Sequence, residues 1–242
     1  MTRMLMRYIL TFLTRLGIFI AVLALYLHDR ELLKKLMTQP IKYGISFIHI
    51  LWAVFMIIML QHIFPNNRLS MALRRQKEET YVPVEGYSEY ELLKYVQDQN
   101  VKAWNVLLVW LLGNAGVGAL YLFKIITDSE LLMLSVFYYL SDYICILFFC
   151  PFQTGIMKNK CCVNCRIYDW GHFMMFTPML FIRNFFSWSL FFTSAVVLIH
   201  WEIIYARHPE RFWEGSNARI KCANCRDKIC QFKKPLDTRR EI

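Results

Sequence analysis

Long apolar runs separated by short polar segments divide this chain. Each run is about 20 residues long, which is the length of helix that crosses the hydrocarbon core of a bilayer. Prolines, asparagines and charged residues stand between the runs, where helices are expected to end. The pattern predicts four transmembrane helices, over about residues 8–27, 43–64, 103–126 and 131–150. The first run follows a basic N-terminus, but Arg15 interrupts it and no cleavage site follows, so we interpret it as a retained span.

The last apolar stretch, residues 173–205, has an unusual length. It is longer than one span requires and shorter than two spans require. Arg183 and Asn184 lie in its middle, where a reversal of the chain would place polar side chains. A reversal also puts most of the 28 lysines and arginines on one side of the membrane, whereas a single crossing divides them almost evenly. Because loops rich in Lys and Arg stay in the cytoplasm, we predict a helical hairpin over residues 172–205 and a cytoplasmic tail.

The polar segments carry helix start signals. Ser88 and Glu91 form a capping box, so a helix is expected to begin there and to continue into the third span. Asp128 and Glu130 suit the positive N-terminal end of the fourth span. The predicted organisation is a first helix pair (1–64), a polar cytoplasmic loop with an amphipathic helix (65–102), a second helix pair (103–150), a first cysteine segment (151–171), the hairpin (172–205) and a basic tail with a second cysteine segment (206–242).

Composition supports a membrane protein. Hydrophobic residues make up 57% of the chain and charged residues only 19%, whereas a soluble domain is usually about a quarter charged. The net charge of +10 indicates contact with anionic lipid headgroups rather than with nucleic acid. We therefore expect a multi-pass protein of the cell membrane, whose partners are the bilayer and another membrane protein.

Two similar cysteine motifs flank the last apolar stretch. Cys162 and Cys165 form one C-x2-C pair, and Cys222 and Cys225 form another. A C-x2-C pair presents two thiolates from one tight turn, and two such turns complete a tetrahedral metal site. Basic residues beside each pair offset the negative charge of the thiolates. The predicted metal ligands are therefore these four cysteines, with Cys161 and Cys230 as alternative ligands.

Three uses of these cysteines remain open at the level of sequence. Structural zinc is the first, because closed four-thiolate sites usually hold zinc. An iron–sulfur cluster is the second, because it needs the same four thiolates. A thiol–disulfide exchange pair is the third. His172 is considered as a replacement ligand, while Cys145 and Cys150 are interpreted as packing residues in the fourth span.

Ionisable residues within apolar runs are candidates for function. We expect Asp142 to pair with either Arg15 or Arg183 and to lock helices together. His49, His62 and His200 are a weak signal for a haem between helices; these residues lie in the second span and in the last apolar stretch.

The sequence as a whole predicts an all-α integral membrane protein. It has four transmembrane helices, a C-terminal helical hairpin and a small cysteine-rich cytoplasmic metal knuckle. The expected function is a scaffold or subunit of a membrane complex with a structural four-cysteine metal site. The alternative is a membrane redox protein whose iron–sulfur centre exchanges electrons with a quinone or a protein partner. No nucleotide-binding or hydrolase motif occurs that would indicate an enzyme.

Overall fold

The structure is a computed structural model that describes residues 2–30, 40–42, 45–64, 70–159, 161–225 and 227–229. These residues are almost entirely helical. The α-helices are α1 (Arg3–His28), α2 (Phe47–Ile63), α3 (Met71–Arg74), α4 (Glu89–Leu122), α5 (Asp128–Leu147), α6 (Gly171–Phe176) and α7 (Phe185–Arg207). The 3-10 turns are Glu78–Thr80, Cys162–Asn164, Tyr168–Trp170, Thr177–Phe181, Pro209–Arg211, Ala218–Ile220 and Cys222–Asn224, and Phe152–Met157 is a π turn. Two short segments, β1 (Pro40–Lys42) and β2 (Ile45–Ser46), pair antiparallel ahead of α2.

Four helices of the described residues are long and apolar enough to cross a membrane, namely α1, α4, α5 and α7. Between 11% and 22% of the most apolar window of each helix is buried inside the protein, so the outer surface is covered by apolar side chains. Leu112 and Phe192, for example, are largely exposed. Such a surface is stable in lipid and not in water. The helices therefore indicate a multi-pass membrane protein.

The long helices match the predicted spans in three cases and depart from them in two places. Helix α1 contains the first predicted span, and α4 and α5 cover most of the third and fourth predicted spans but end at Leu122 and Leu147. Helix α2, which covers the second, has 17 residues and is shorter than the other apolar helices. The fourth long helix, α7, begins only at Phe185, in the second half of the last apolar stretch.

Side-chain caps explain where the helices begin. The Ser88 hydroxyl accepts a hydrogen bond from the Glu91 N–H at 3.4 Å, and α4 runs without interruption into the third span, as predicted. The Glu130 carboxylate accepts from the Thr127 N–H at 2.7 Å and completes a capping box at the start of α5. The Asn184 side-chain oxygen accepts from the Ser187 N–H at 2.7 Å and starts α7. Each cap satisfies a helix N–H that has no partner within the helix.

The first half of the last apolar stretch is a short irregular arm. It consists of α6 and the 3-10 turn Thr177–Phe181. At about 1.5 Å per α-helical residue and about 2 Å per 3-10 residue, the arm extends about 19 Å, less than the hydrocarbon core. It lies along α7, with the Phe173 and Phe191 rings 5.8 Å apart and the Trp188 indole N–H donating to the Leu180 carbonyl at 3.2 Å. We call residues 171–181 the short arm.

The short arm occupies the centre of the helix bundle. The rings of Phe176 and Phe55 of α2 meet edge to face at 5.3 Å. The Trp110 indole of α4 donates to the Thr177 hydroxyl at 3.1 Å. Most side chains of the arm are buried. Irregular backbone at membrane depth is tolerated where protein surrounds it. Side chains of α2 and α4 cover the short arm in this way.

Several segments that are distant in sequence meet at one end of the bundle. The Thr2 hydroxyl, at the start of α1, donates to the Asp227 carbonyl at 2.8 Å. The Met71 N–H donates to the Asp227 carboxylate at 2.8 Å. The Asn164 amide donates to the Ile220 carbonyl at 3.2 Å. The N-terminus, the polar loop, the first cysteine segment and the beginning of the tail therefore share this end, which we call the cysteine end.

Candidate functional site

Both Cys-x-Asn-Cys sequences fold as the same 3-10 turn. In the first, the Cys165 N–H donates to the Cys162 carbonyl at 3.0 Å. In the second, the Cys225 N–H donates to the Cys222 carbonyl at 3.2 Å. The repeated sequence is therefore also a repeated structure. We call residues 162–165 the first cysteine turn and residues 222–225 the second cysteine turn.

The asparagine of each turn binds the same part of the tail. Asn164 donates to the Ile220 carbonyl at 3.2 Å, two residues ahead of the second turn. Asn224 donates to the Ala218 carbonyl at 2.8 Å. Hydrogen bonds of this length satisfy the carbonyl groups and fix the local register of the chain. The Asn164 side chain therefore joins the first turn to the tail two residues ahead of the second turn.

An ion pair between a buried arginine and a partly exposed glutamate fastens the first cysteine turn to α7. Arg166 follows the turn directly, and both of its terminal nitrogens donate to the Glu202 carboxylate, one of them at 2.7 Å. The Trp170 indole N–H donates to the same carboxylate at 2.8 Å. The guanidinium carbon of Arg166 also lies 3.6 Å from the centre of the Tyr205 ring. A bidentate pair with a stacked guanidinium restricts Arg166 strongly, which holds the turn in place.

A second buried arginine reaches the same turn from the polar loop. Arg75 is only 2% exposed, and its Nη2 donates to the Cys165 carbonyl at 3.3 Å. Its guanidinium lies 5.0 Å from the Phe212 ring and 5.5 Å from the Trp201 ring. The polar loop, α7 and the segment after α7 therefore all pack around the first turn.

The thiols of the first turn are held inside the protein. Burial raises the pKa of the Cys165 thiol to about 11, so it is a neutral thiol at pH 7. The Cys162 thiol donates to the Gln153 side-chain oxygen at 2.9 Å. Binding of a metal ion would displace both protons. Cys145 and Cys150, interpreted as packing residues, form a hydrogen-bonded pair at the end of α5.

The four-cysteine metal site remains a prediction. Among the residues that the structure describes, no three His, Cys, Asp or Glu side chains lie close enough to hold one ion. Cys222 is exposed and Cys161 is buried in an apolar cluster, while Cys230 lies outside the described residues. The four cysteines fit a tetrahedral four-thiolate site in their chemistry. A shared ion requires the second turn to close on the first.

A second polar site lies among the helices. Arg15 of α1 donates to the Asp142 carboxylate of α5 at 3.0 Å and to the Tyr139 carbonyl at 2.6 Å. The Arg15 guanidinium carbon lies 3.9 Å from the centres of both the Tyr139 and Tyr143 rings. The predicted pairing of Asp142 with a basic residue of a span is confirmed, and its partner is Arg15 rather than Arg183.

A histidine–aspartate pair lies beside this ion pair. His62 Nδ1 and Asp169 Oδ1 are 2.6 Å apart, and the His62 and His172 rings meet at 4.5 Å. Burial raises the pKa of Asp169, while a positive charge on His62 opposes that change. Asp142 is close as well, because a Cβ atom on Gly171 would lie 2.8 Å from the Asp142 Oδ1. We call Arg15, His62, Asp142, Asp169 and His172 the inner ionisable cluster.

Sequence reasoning identified only parts of this cluster. It named His62 as a weak haem candidate, but His62 binds Asp169, and His49 instead contacts Ser46, with its Nδ1 2.7 Å from the hydroxyl. It indicated His172 only as a replacement metal ligand and did not single out Asp169. The signal that was available is the set of ionisable residues within an otherwise apolar part of the chain.

No family model matches this chain, and neither a curated protein nor a solved structure matches it. Function must therefore be inferred from the residues themselves.

Proposed function

We propose that this chain is a multi-pass membrane protein whose two cysteine turns bind one metal ion, and that it serves as a scaffold or subunit of a membrane complex. The proposed ion is zinc, held by Cys162, Cys165, Cys222 and Cys225. The observation that carries the proposal is the hydrogen bond between Asn164 of the first turn and the Ile220 carbonyl, two residues ahead of the second turn.

The described contacts support a structural role for the ion. The first turn is fixed by Arg166 and Arg75, whereas the second turn is less anchored, with Cys222 exposed and Cys225 half-buried. An ion shared between the turns would tie the tail to the rigid part of the bundle. Closed four-thiolate sites commonly have this effect, because the free energy of metal binding becomes free energy of folding.

The membrane topology is part of the proposal. The N-terminus, the polar loop and the beginning of the tail meet at the cysteine end. By sequence, the N-terminus, the polar loop and the whole tail contain most of the 28 lysines and arginines. We propose that this end is cytoplasmic, as the distribution of positive charge favours, and that it contacts anionic headgroups. The short arm would then enter the membrane and turn back near Arg183, and α7 would return to the cytoplasm. This arrangement is a hairpin with a partly re-entrant first arm.

The metal content of the purified protein tests the proposal. We expect about one zinc per chain in protein purified without chelators, as a four-thiolate site binds one ion. Replacement of a proposed ligand, C165S or C225S, should release the metal and lower the thermal stability. The matched control is C145S, because Cys145 lies in α5 outside both turns.

Four results would each decide against part of this proposal. Protein without bound metal, or full metal content in both C165S and C225S, would show that the turns do not share an ion. Brown protein that contains iron and absorbs visible light would favour the redox alternative. Labelling of Cys222 in intact cells by a membrane-impermeant maleimide would place the cysteine end outside the cytoplasm.

A further inference from the structure

The inner ionisable cluster is a candidate site of its own, separate from the cysteine turns. Its five residues come from α1, α2, α5, α6 and the turn that precedes α6. Asp169 is 3% exposed, Arg15 8% and His172 9%. Burying this many ionisable groups is costly unless their charges are paired, so the charges must balance within the cluster.

A count of charges shows that the cluster requires one proton. Among the described residues, Arg15 contributes one positive charge, and Asp142 and Asp169 contribute two negative charges when ionised. With neutral histidines the cluster would therefore carry a charge of −1 in an apolar surrounding. One added proton brings the charge to zero, which a medium of low dielectric constant favours strongly.

The geometry provides a place for that proton. His62 Nδ1 and Asp169 Oδ1 are 2.6 Å apart, a length typical of strong hydrogen bonds between charged partners. The other carboxylate oxygen, Asp169 Oδ2, is buried, and no donor among the described residues reaches it. This oxygen is a second acceptor at the same site. The His172 ring lies against the His62 ring, so a second positive charge on His172 would be repelled.

We propose that His62 and Asp169 form a proton-binding site in the core of the bundle, with one proton held between them and with His172 neutral. Charged or titratable side chains face this site from four helices around it. They are Arg15 of α1, Asp142, Tyr139 and Tyr143 of α5, His172 of α6 and His200 of α7. Buried acid–base pairs of this kind serve membrane proteins as stations for proton transfer.

The location of the site links the proton to the short arm. Asp169 lies two residues ahead of Gly171, the first residue of the arm, and Gly171 packs against the Asp142 carboxylate. Loss of the proton would leave the Asp142 and Asp169 carboxylates with one negative charge that Arg15 does not balance. The two carboxylates lie on either side of the contact between Gly171 and Asp142. The short arm would then be pushed away from α5. Proton binding therefore favours the packed position of the arm.

Nuclear magnetic resonance of the full chain in lipid nanodiscs tests this site. The protein would carry ¹⁵N-labelled histidine, and the signals of the 6 histidines would be assigned with single His-to-Gln variants. The ¹⁵N shifts distinguish a charged imidazolium from a neutral imidazole. We expect His62 to remain charged above the pH at which an unperturbed imidazole, with a pKa of about 6.5, loses its proton.

The D169N variant provides the decisive comparison. It preserves the shape of the side chain and removes its charge, so the proton affinity of His62 should fall about tenfold or more. The control is H208Q, which should leave the His62 titration unchanged. The proposal is wrong if wild-type His62 loses its proton at or below about pH 6.5, as an unperturbed imidazole does. It is equally wrong if folded D169N titrates at His62 like the wild type. The wild-type comparison stands even where D169N fails to fold.

Discussion

Removal of Arg15 should destabilise the bundle more than any exposed charge does. Its guanidinium is 8% exposed and pairs with Asp142 at 3.0 Å. It also donates to the Tyr139 carbonyl at 2.6 Å and lies between two tyrosine rings. The R15M variant keeps much of the side-chain volume and leaves the Asp142 carboxylate unpaired. Breaking a buried ion pair in this way costs about 3–5 kcal/mol.

The partner variant and the double variant separate the ion pair from the other contacts of Arg15. D142N retains the ring contacts and the bond to Tyr139, so it should cost about 2–3 kcal/mol, as for a lost hydrogen bond to a charged group. In R15M/D142N no charge is left unpaired, so the two costs should not add. We expect the double variant to be about as stable as R15M, with a coupling energy of about 2 kcal/mol.

Equilibrium unfolding in mixed micelles with increasing sodium dodecyl sulfate, followed by far-ultraviolet circular dichroism, measures these free energies. The control is R3M, which removes an exposed arginine from the same helix and should change the free energy of unfolding by less than about 0.5 kcal/mol. A cost below about 1 kcal/mol for R15M would refute the reasoning. So would single costs that add fully in the double variant, because additivity would mean that the two side chains act independently.

Two further predictions concern close packing and the contact between the first cysteine turn and the tail. A Cβ atom on Gly118 would lie 2.4 Å from the Phe181 ring, so G118A should lower the free energy of unfolding by about 1–3 kcal/mol. The control is G116A, because a Cβ atom there meets nothing within 4 Å. It should be neutral or slightly stabilising in the same unfolding assay. N164A removes the hydrogen bond from the first cysteine turn to the Ile220 carbonyl and should speed proteolysis of the tail several-fold. N224A breaks only a hydrogen bond within the tail and should have a smaller effect. Equal free energies of unfolding for G118A and G116A would contradict the first prediction. Equal rates of tail proteolysis for N164A and N224A would contradict the second.

Local signals in the sequence were sufficient to place three of the long helices. Apolar runs predicted α1, α4 and α5, and the Ser88 capping box predicted that α4 begins ahead of the membrane and continues into it. These predictions succeeded because a helix start depends on residues three or four positions apart. The length of the last apolar stretch predicted a helical hairpin over residues 172–205. The structure shows the short arm followed by α7, and the hairpin remains a proposal.

The repeat of Cys-x-Asn-Cys also fixed the local turn in both places, because the turn closes within four residues. The contact of the first turn with the tail depended on the whole fold. Asn164 and Ile220 are separated by the short arm and α7, and they return to one end only because these two elements run side by side.

The sequence alone determined that long apolar helices dominate this chain, that a charged pair joins two of them and that the two cysteine turns are alike. Only the tertiary structure decided that Asp169 meets His62, which lies 107 positions away. No periodicity marks Asp169, because it lies in an irregular turn and its partner comes from another helix. A buried carboxylate acquires its chemistry from its neighbours in space, and helix packing determines those neighbours.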